Sequence, residues 1–354
     1  MPAPAQSQQR RWKLRPKGSN WGEFGPDDQR GRLNLLTPEQ VLKGIAEVKV
    51  GRSFCLSLPL DYPGTTNLGE SRLPPRLSPT LTRGRPFMNF PIGIDRPGHI
   101  DVFSDDKVEI SLQYSTQWDS LAHVGQLFDA DGDGVPEVVY YNGYRAGEHV
   151  VGDFDHGSGQ PSGHVGPLGA LALGIEKMAE TCVQGRGVMI DFEVHFGRRH
   201  MLVGYDELMR ILKRDKVVVE EGDLVCIRTG TAKMIYEMQK NPDNEVLRQS
   251  CGKLDGRDER LLDWITDSGL VAIICDNIAV EASPSRPCQG ANCTVLPLHA
   301  HCLFKLGVHL GEMWDLGDLA DWLRAEGRSR FLLTAPPLRL PGAVGSPVTP
   351  VATV

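Results

Sequence analysis

The sequence predicts an α/β fold, because strand-length apolar runs alternate with helix-length amphipathic segments through its second half. The runs at 187–191, 223–228, 270–275 and 331–334 are short and almost continuously apolar, as strands covered on both faces tend to be. No internal repeat breaks this order, so a stacked-repeat architecture is excluded.

Taken along the chain, Gly187-Val-Met-Ile-Asp191 reads as the first of these strands. From Tyr205 to Lys213, Leu208, Met209, Ile211 and Leu212 fall at helical spacing. Asp223-Leu-Val-Cys-Ile-Arg228 is the next strand and ends in Thr-Gly. Arg257 to Asp267 is a helix with Leu261, Leu262 and Ile265 inward, followed by Gly269 and the strand 270–275. The last helix spans Leu316 to Glu326. Asp315 and Asp318 suit the positive end of its dipole, and Gly327 suits its stop. The strand 331–334 follows, and upstream 108–112 alternates as a strand should. Segments 60–100 and 129–166 are rich in Pro and Gly and read as long surface or lid segments that shape a pocket. The expected organisation is a flexible basic tail over 1–19 and a single compact domain over 20–354. Its core is a mixed β-sheet or barrel-like sheet with surrounding helices.

With 354 residues, a formal net charge of −7 and 23% charged residues, the chain is long enough to bury a core without staples. Mild acidity argues against a nucleic-acid surface, which needs clustered Lys and Arg. No apolar run approaches the ~20 residues that span a bilayer, and no apolar segment follows Gln-Arg-Arg-Trp-Lys near the N-terminus. A cytoplasmic protein acting on a small molecule is therefore expected. The eight cysteines show no Cys-x-x-Cys spacing, so reduced thiols are expected and a Cys288–Cys293 disulfide is not.

Two polar clusters carry the candidate chemistry. In the first, Gln113, Gln117, Asp119 and His123 fall within eleven positions. A helix from 117 onward would place Asp119 and His123 one turn apart, where a carboxylate raises the basicity of an imidazole for general-base work. In the second, Leu298-His-Ala-His-Cys is followed by Glu312 at an apparent turn. His299 and His301 would share a face on a strand and diverge on a helix. Imidazole plus carboxylate serves either as a metal-ligand set or as an acid/base pair. His309, between apolar residues, reads as structural.

Read together, the clusters resemble the cyclase or kynurenine-formamidase-like metal-dependent hydrolases, which include isatin hydrolase. The signature of that family is His-x-Gly-Thr-His-x-Asp-x-Pro-x-His. Gln113-Tyr-Ser-Thr116-Gln117-Trp-Asp119-Ser-Leu-Ala-His123 lies in the same register, with Thr116, Asp119 and His123 retained. Gly222-Asp-Leu-Val-Cys-Ile-Arg-Thr-Gly230, Phe54-Cys-Leu-Ser-Leu-Pro-Leu-Asp61 and Ala335-Pro-Pro-Leu-Arg-Leu are further echoes. The resemblance implies a swivelling β/β/α fold, a homo-oligomer and a divalent metal, manganese or zinc. It also implies hydrolysis of a C–N or C–O bond in a small amide, formamide, lactam or lactone, an arylformamidase-like reaction. Carried over, Asp119, His299 and Glu312 are the possible ligands, and His123, with Asp119, is the acid/base.

Departures from the signature leave two mechanisms open. Gln113 and Gln117 stand where the family has His, and an amide oxygen binds zinc less well than imidazole. Either both glutamines turn carbonyl oxygens toward a harder ion such as manganese, or the metal is lost and they hydrogen-bond the substrate carbonyl. Trp118, Thr116 and Trp314 are the candidate substrate contacts, the tryptophans by stacking on an aromatic ring. A catalytically inactive ligand-binding relative and a lyase or cyclase using the same acid/base pair are the alternatives. Asp129-Ala-Asp-Gly-Asp-Gly134 opens like a calcium loop, but Tyr140 occupies the twelfth position where that loop needs a carboxylate. No nucleophile elbow, Walker loop or dinucleotide fingerprint is present.

Overall fold

The computed structural model describes residues 10–64, 71–290 and 292–354. A nine-stranded mixed sheet organises them. In chain order its strands are β1 (Ser53–Cys55), β2 (Gln117–Asp119), β3 (Gln184–Asp191), β4 (Leu224–Arg228) and β5 (Ala272–Cys275), followed by β6 (His309–Glu312), β7 (Arg330–Thr334), β8 (Gly345–Pro347) and β9 (Val351–Thr353). Across the sheet the order is β1-β9-β7-β3-β4-β5-β6-β2-β8. The central four, β3 to β6, run parallel, and the flanking strands are antiparallel.

Burial on both faces explains why the parallel strands are apolar without a break. In β4, Val225 and Ile227 enter one core cluster while Leu224 and Cys226 enter the other. In β5, Ile273 and Cys275 take the first side and Ala272 and Ile274 the second. Successive side chains alternate across a strand, so a strand with a core on each side must be apolar throughout. Each fully buried aliphatic side chain contributes about 1.5–3 kcal/mol relative to exposure.

Helices cover the sheet: α1 (Tyr205–Asp215), α2 (Asn244–Arg248), α3 (Glu259–Asp267), α4 (Pro297–His299, running on as a π-helix over Ala300–Leu306) and α5 (Gly317–Ala325), of which α1, α3 and α5 lie close to where periodicity places them. Asp258 caps α3, its carboxylate accepting from the amides of Arg260 at 3.0 Å and Leu261 at 3.3 Å. Among the described residues no helix is long and apolar enough to cross a membrane.

Three expectations change. The loose tail does not extend to residue 19: Trp12 is buried against Trp21, and the Trp21 indole donates to the Phe304 carbonyl at 2.8 Å, tying this segment to the π-helix. An apolar anchor near its start holds the segment down, while residues 1–9 lie outside the described residues. Cys288 and Cys293 are joined as a disulfide, with their Cα atoms 6.2 Å apart. The alternation at 108–112 becomes a short exposed strand, Asp106–Glu109, paired with Arg76–Pro79 in one of several two-stranded ribbons outside the main sheet.

Candidate functional site

The polar cluster forms where β2 pairs with β6. Register places Glu312 opposite Gln117, Gly311 opposite Trp118 and Leu310 opposite Asp119. Side chains alternate, so Gln117, Asp119 and Glu312 share one face and Trp118 points to the other. The expected helical relation of Asp119 to His123 is therefore not what forms. Asp119 ends a strand, and a turn closed by the His123 amide on the Ser120 carbonyl at 3.1 Å carries His123 back. Its Nε2 stands 3.9 Å from Asp119 Oδ1, near enough for electrostatics but too far for a hydrogen bond.

The second cluster arrives on α4. Because this segment is helical, His299 and His301 diverge. His299 turns to the sheet, with Nε2 3.2 Å from Glu312 Oε1 and Nδ1 2.8 Å from Glu281 Oε1. His301 turns away to Thr266 at 2.9 Å and lines a separate cavity. The Glu312 turn of the sequence reading is instead the end of β6. Asp119, His299 and Glu312 are buried, and each offers a ligand atom within 4.8 Å of the others.

Electrostatics at this floor are dominated by burial. Burial alone would push the His299 imidazole down, but hydrogen bonds to Glu281 and Glu312 override it and push the pKa up to about 10. Burial pushes the Asp119 carboxyl up, and nearby Glu312 adds to that. Burial acts to raise the Glu312 carboxyl, but the hydrogen bond and charge of His299, with Arg72 and His123, together hold it below the usual carboxylate value. Asp119 Oδ2 and Gln117 Oε1 are both buried with no hydrogen-bond partner among the described residues. These unpaired oxygens border the group that could hold a cation.

Above this floor lies a cavity of about 390 Å³, and His123, with 22% of its side chain exposed, lines it together with His299, Glu281 and Glu312. That volume suits a small ligand. Of the two long irregular segments, only the first reaches the cavity, through Ser71 and Arg72.

The model of the Cyclase family matches residues 56–282. The chain belongs to the cyclase family. The crystal structure of a novel cyclase shares 30% identity with it over 95% of this chain and 97% of that one, at a TM-score of 0.71. Isatin hydrolase A from Labrenzia aggregata has the same fold at 13% identity, covering 89% of this chain and 97% of that one, with a TM-score of 0.52. Isatin hydrolase A from Ralstonia solanacearum matches at 15% identity, the same coverage and the same TM-score. No curated protein matches the chain.

In this member of the cyclase family the remaining candidates separate sharply. The Gln117 amide nitrogen donates to Glu312 at 3.0 Å and more weakly to Asp119 at 3.4 Å, bridging the two carboxylates, while its oxygen makes no hydrogen bond among the described residues. The side chain of Gln113 packs beside Gly345 of β8 and its carbonyl accepts from Arg72, so it is not among the cavity residues. Trp118, Trp314 and Thr116 are fully buried and do not line this cavity. The two indoles meet edge to face at 5.0 Å, with their N–H groups on the carbonyls of Ala335 and Gln117. Gly311 makes room for both rings: a Cβ there would lie 3.0 Å from the Trp314 ring nitrogen and 3.2 Å from the Trp118 ring. Thr116 spans the Met313 carbonyl and the Leu58 amide. These three residues support the strand pair from behind. Trp314→Ala should therefore cost about 3–5 kcal/mol of stability, read as a lower denaturation midpoint. A variant of normal stability with weakened ligand binding would contradict this.

Acidic residues 129–137 act locally. Asp129 accepts from the amides of Gly132, Asp133 and Gly134, so the calcium-like sequence closes a turn. Glu281 was missed in the sequence. It follows the C-terminal end of parallel strand β5, where ligand sites of open α/β sheets collect, and that position is the signal that could have found it.

Proposed function

We propose that this chain is a metal-dependent hydrolase acting on a C–N or C–O bond of a small amide, formamide, lactam or lactone. The observation that carries the reading is the convergence of Asp119, His299 and Glu312 within 4.8 Å beneath the cavity that His123 lines. The buried residues fit a divalent cation. Asp119, Glu281 and Glu312 bring three carboxylates against one doubly hydrogen-bonded imidazole, and an oxygen of Asp119 lacks any partner. Uncompensated buried carboxylates cost several kcal/mol each, about what a bound cation offsets. One nitrogen and two carboxylate donors suit manganese or zinc and leave positions open for water and substrate.

When bound, such an ion polarises the substrate carbonyl and lowers the pKa of water. Asp119, His299 and Glu312 would hold it. Glu281 fixes the His299 ring by taking Nδ1–H, and the amides of Leu298 and His299 fix Glu281 in turn, at 3.0 and 2.8 Å. His123 takes a proton from the attacking water as its oxygen bonds the carbonyl carbon. The same imidazole then gives that proton to the leaving nitrogen or oxygen as the bond breaks.

Protein loaded with manganese or zinc should turn over at least one member of a panel of aryl formamides, lactams and lactones. No turnover by loaded protein across that panel would overturn the reading in favour of a ligand-binding relative, the alternative that Gln113 and Gln117 favour. Glu281→Gln should weaken metal binding about 10- to 100-fold in chelator competition while thermal stability changes little. Unchanged affinity would remove its positioning role.

A further inference from the structure

We infer that the ligand of this cavity carries a carboxylate held by Arg72 and Arg248. The inference rests on reading the cavity as the active site, and it adds what that site selects.

Charges on the lining divide into two sets. Its carboxylates, Glu281 and Glu312, are satisfied within the floor. Glu281 accepts from His299 and two backbone amides, and Glu312 takes His299, Gln117 and the Val280 amide at 3.2 Å. Its cations are Arg72 and, from a second segment, Arg248 and Lys253. Lys253 is buried and spent: its ammonium donates to the carbonyls of Leu247, Arg248 and Ser250, closing the end of α2. Arg72 donates one N–H to the Gln113 carbonyl at 3.0 Å and pairs with no carboxylate among the described residues. Its charge reaches Asp119 and Glu312, opposing the rise that burial imposes on Asp119 and adding to the lowering that His299 gives Glu312. The Arg248 side chain has no partner among the described residues.

A guanidinium offers five N–H donors in a fork that matches a carboxylate. Two such forks with spare donors face a cavity that also contains Leu247, Ile278 and Leu296. That combination fits a small apolar body bearing one negative group. Two arginines beside an acidic floor balance a monoanion better than a dianionic phosphate, which makes a carboxylate the matching group.

Calorimetry on the full chain loaded with manganese tests this, using benzoate and its neutral counterpart benzamide. Benzoate should bind about tenfold more tightly, the scale of one charge-assisted hydrogen-bond pair. Arg72→Gln and Arg248→Gln should each reduce benzoate affinity about tenfold and leave benzamide unaffected, with the denaturation midpoint as a fold check. Phenyl phosphate should bind no better than benzoate. Equal binding of benzoate and benzamide, tighter binding of phenyl phosphate, or a benzoate preference that survives both substitutions together would overturn the inference. A benzoate preference that needs both arginines, in protein that hydrolyses nothing, would sink the hydrolase reading and leave the carboxylate site standing.

Discussion

His123→Ala lowers kcat/KM about a hundred- to ten-thousand-fold, the range a positioned proton-transfer group supplies, and leaves metal content unchanged. Two imidazoles reach the cavity, and only one is free to move a proton. His299 is held between Glu281 and Glu312 by both ring nitrogens, whereas His123 makes no hydrogen bond to Asp119 at 3.9 Å and is partly open to solvent. Because its ring borders space rather than core, the substitution leaves no buried polar group orphaned and stability should hold. The measurement is steady-state kinetics on whichever panel substrate turns over, with metal analysis of the same sample. Full activity in the variant would assign proton transfer elsewhere. Loss of metal along with activity would make His123 a ligand.

Adding manganese or zinc to chelator-treated protein raises its denaturation midpoint, and Glu312→Gln removes that rise. A ligand that binds only the folded state at one hundred times its Kd stabilises by about 2.7 kcal/mol. Glu312 is central because it touches both His299 and Gln117, so replacing it breaks the ligand group and frees the bridge from β2. Proton linkage sharpens the test. In the metal-free protein the His299 pKa is pushed up to about 10 by its two carboxylate partners, so at neutral pH the ring is protonated. Binding through Nε2 must release that proton, so apparent metal affinity rises with pH until about 10 and levels off above it. Affinity independent of pH between 6 and 9 would show that His299 is not a ligand. A metal-dependent rise that persists in Glu312→Gln would place the ion elsewhere.

Much of this was legible in the residues. The four continuous apolar runs became β3, β4, β5 and β7, because period and length are local properties and burial on both faces leaves a strong mark. The helices α1, α3 and α5 were equally plain. Asp119, His123, His299 and Glu312 were identified from two clusters and the family signature, and Glu312 and Asp119 do meet through adjacent strands. Whether 117–123 was helix or strand was not legible, since a three-residue strand is too short to show a period.

What the sequence alone determined is the fold class, the family signature and the short set of ionisable residues, all written in spacing along one dimension. Tertiary structure alone decided which of these act together. Pairing of β2 with β6 turned Gln117 inward and Trp118 outward, making one a bridge and the other core. The helical form of α4 separated His299 from His301, and the end of β5 delivered Glu281, which no motif had marked. The physical reason is that strand register and helix rotation are set by which faces must be buried, and that is settled only when distant segments meet.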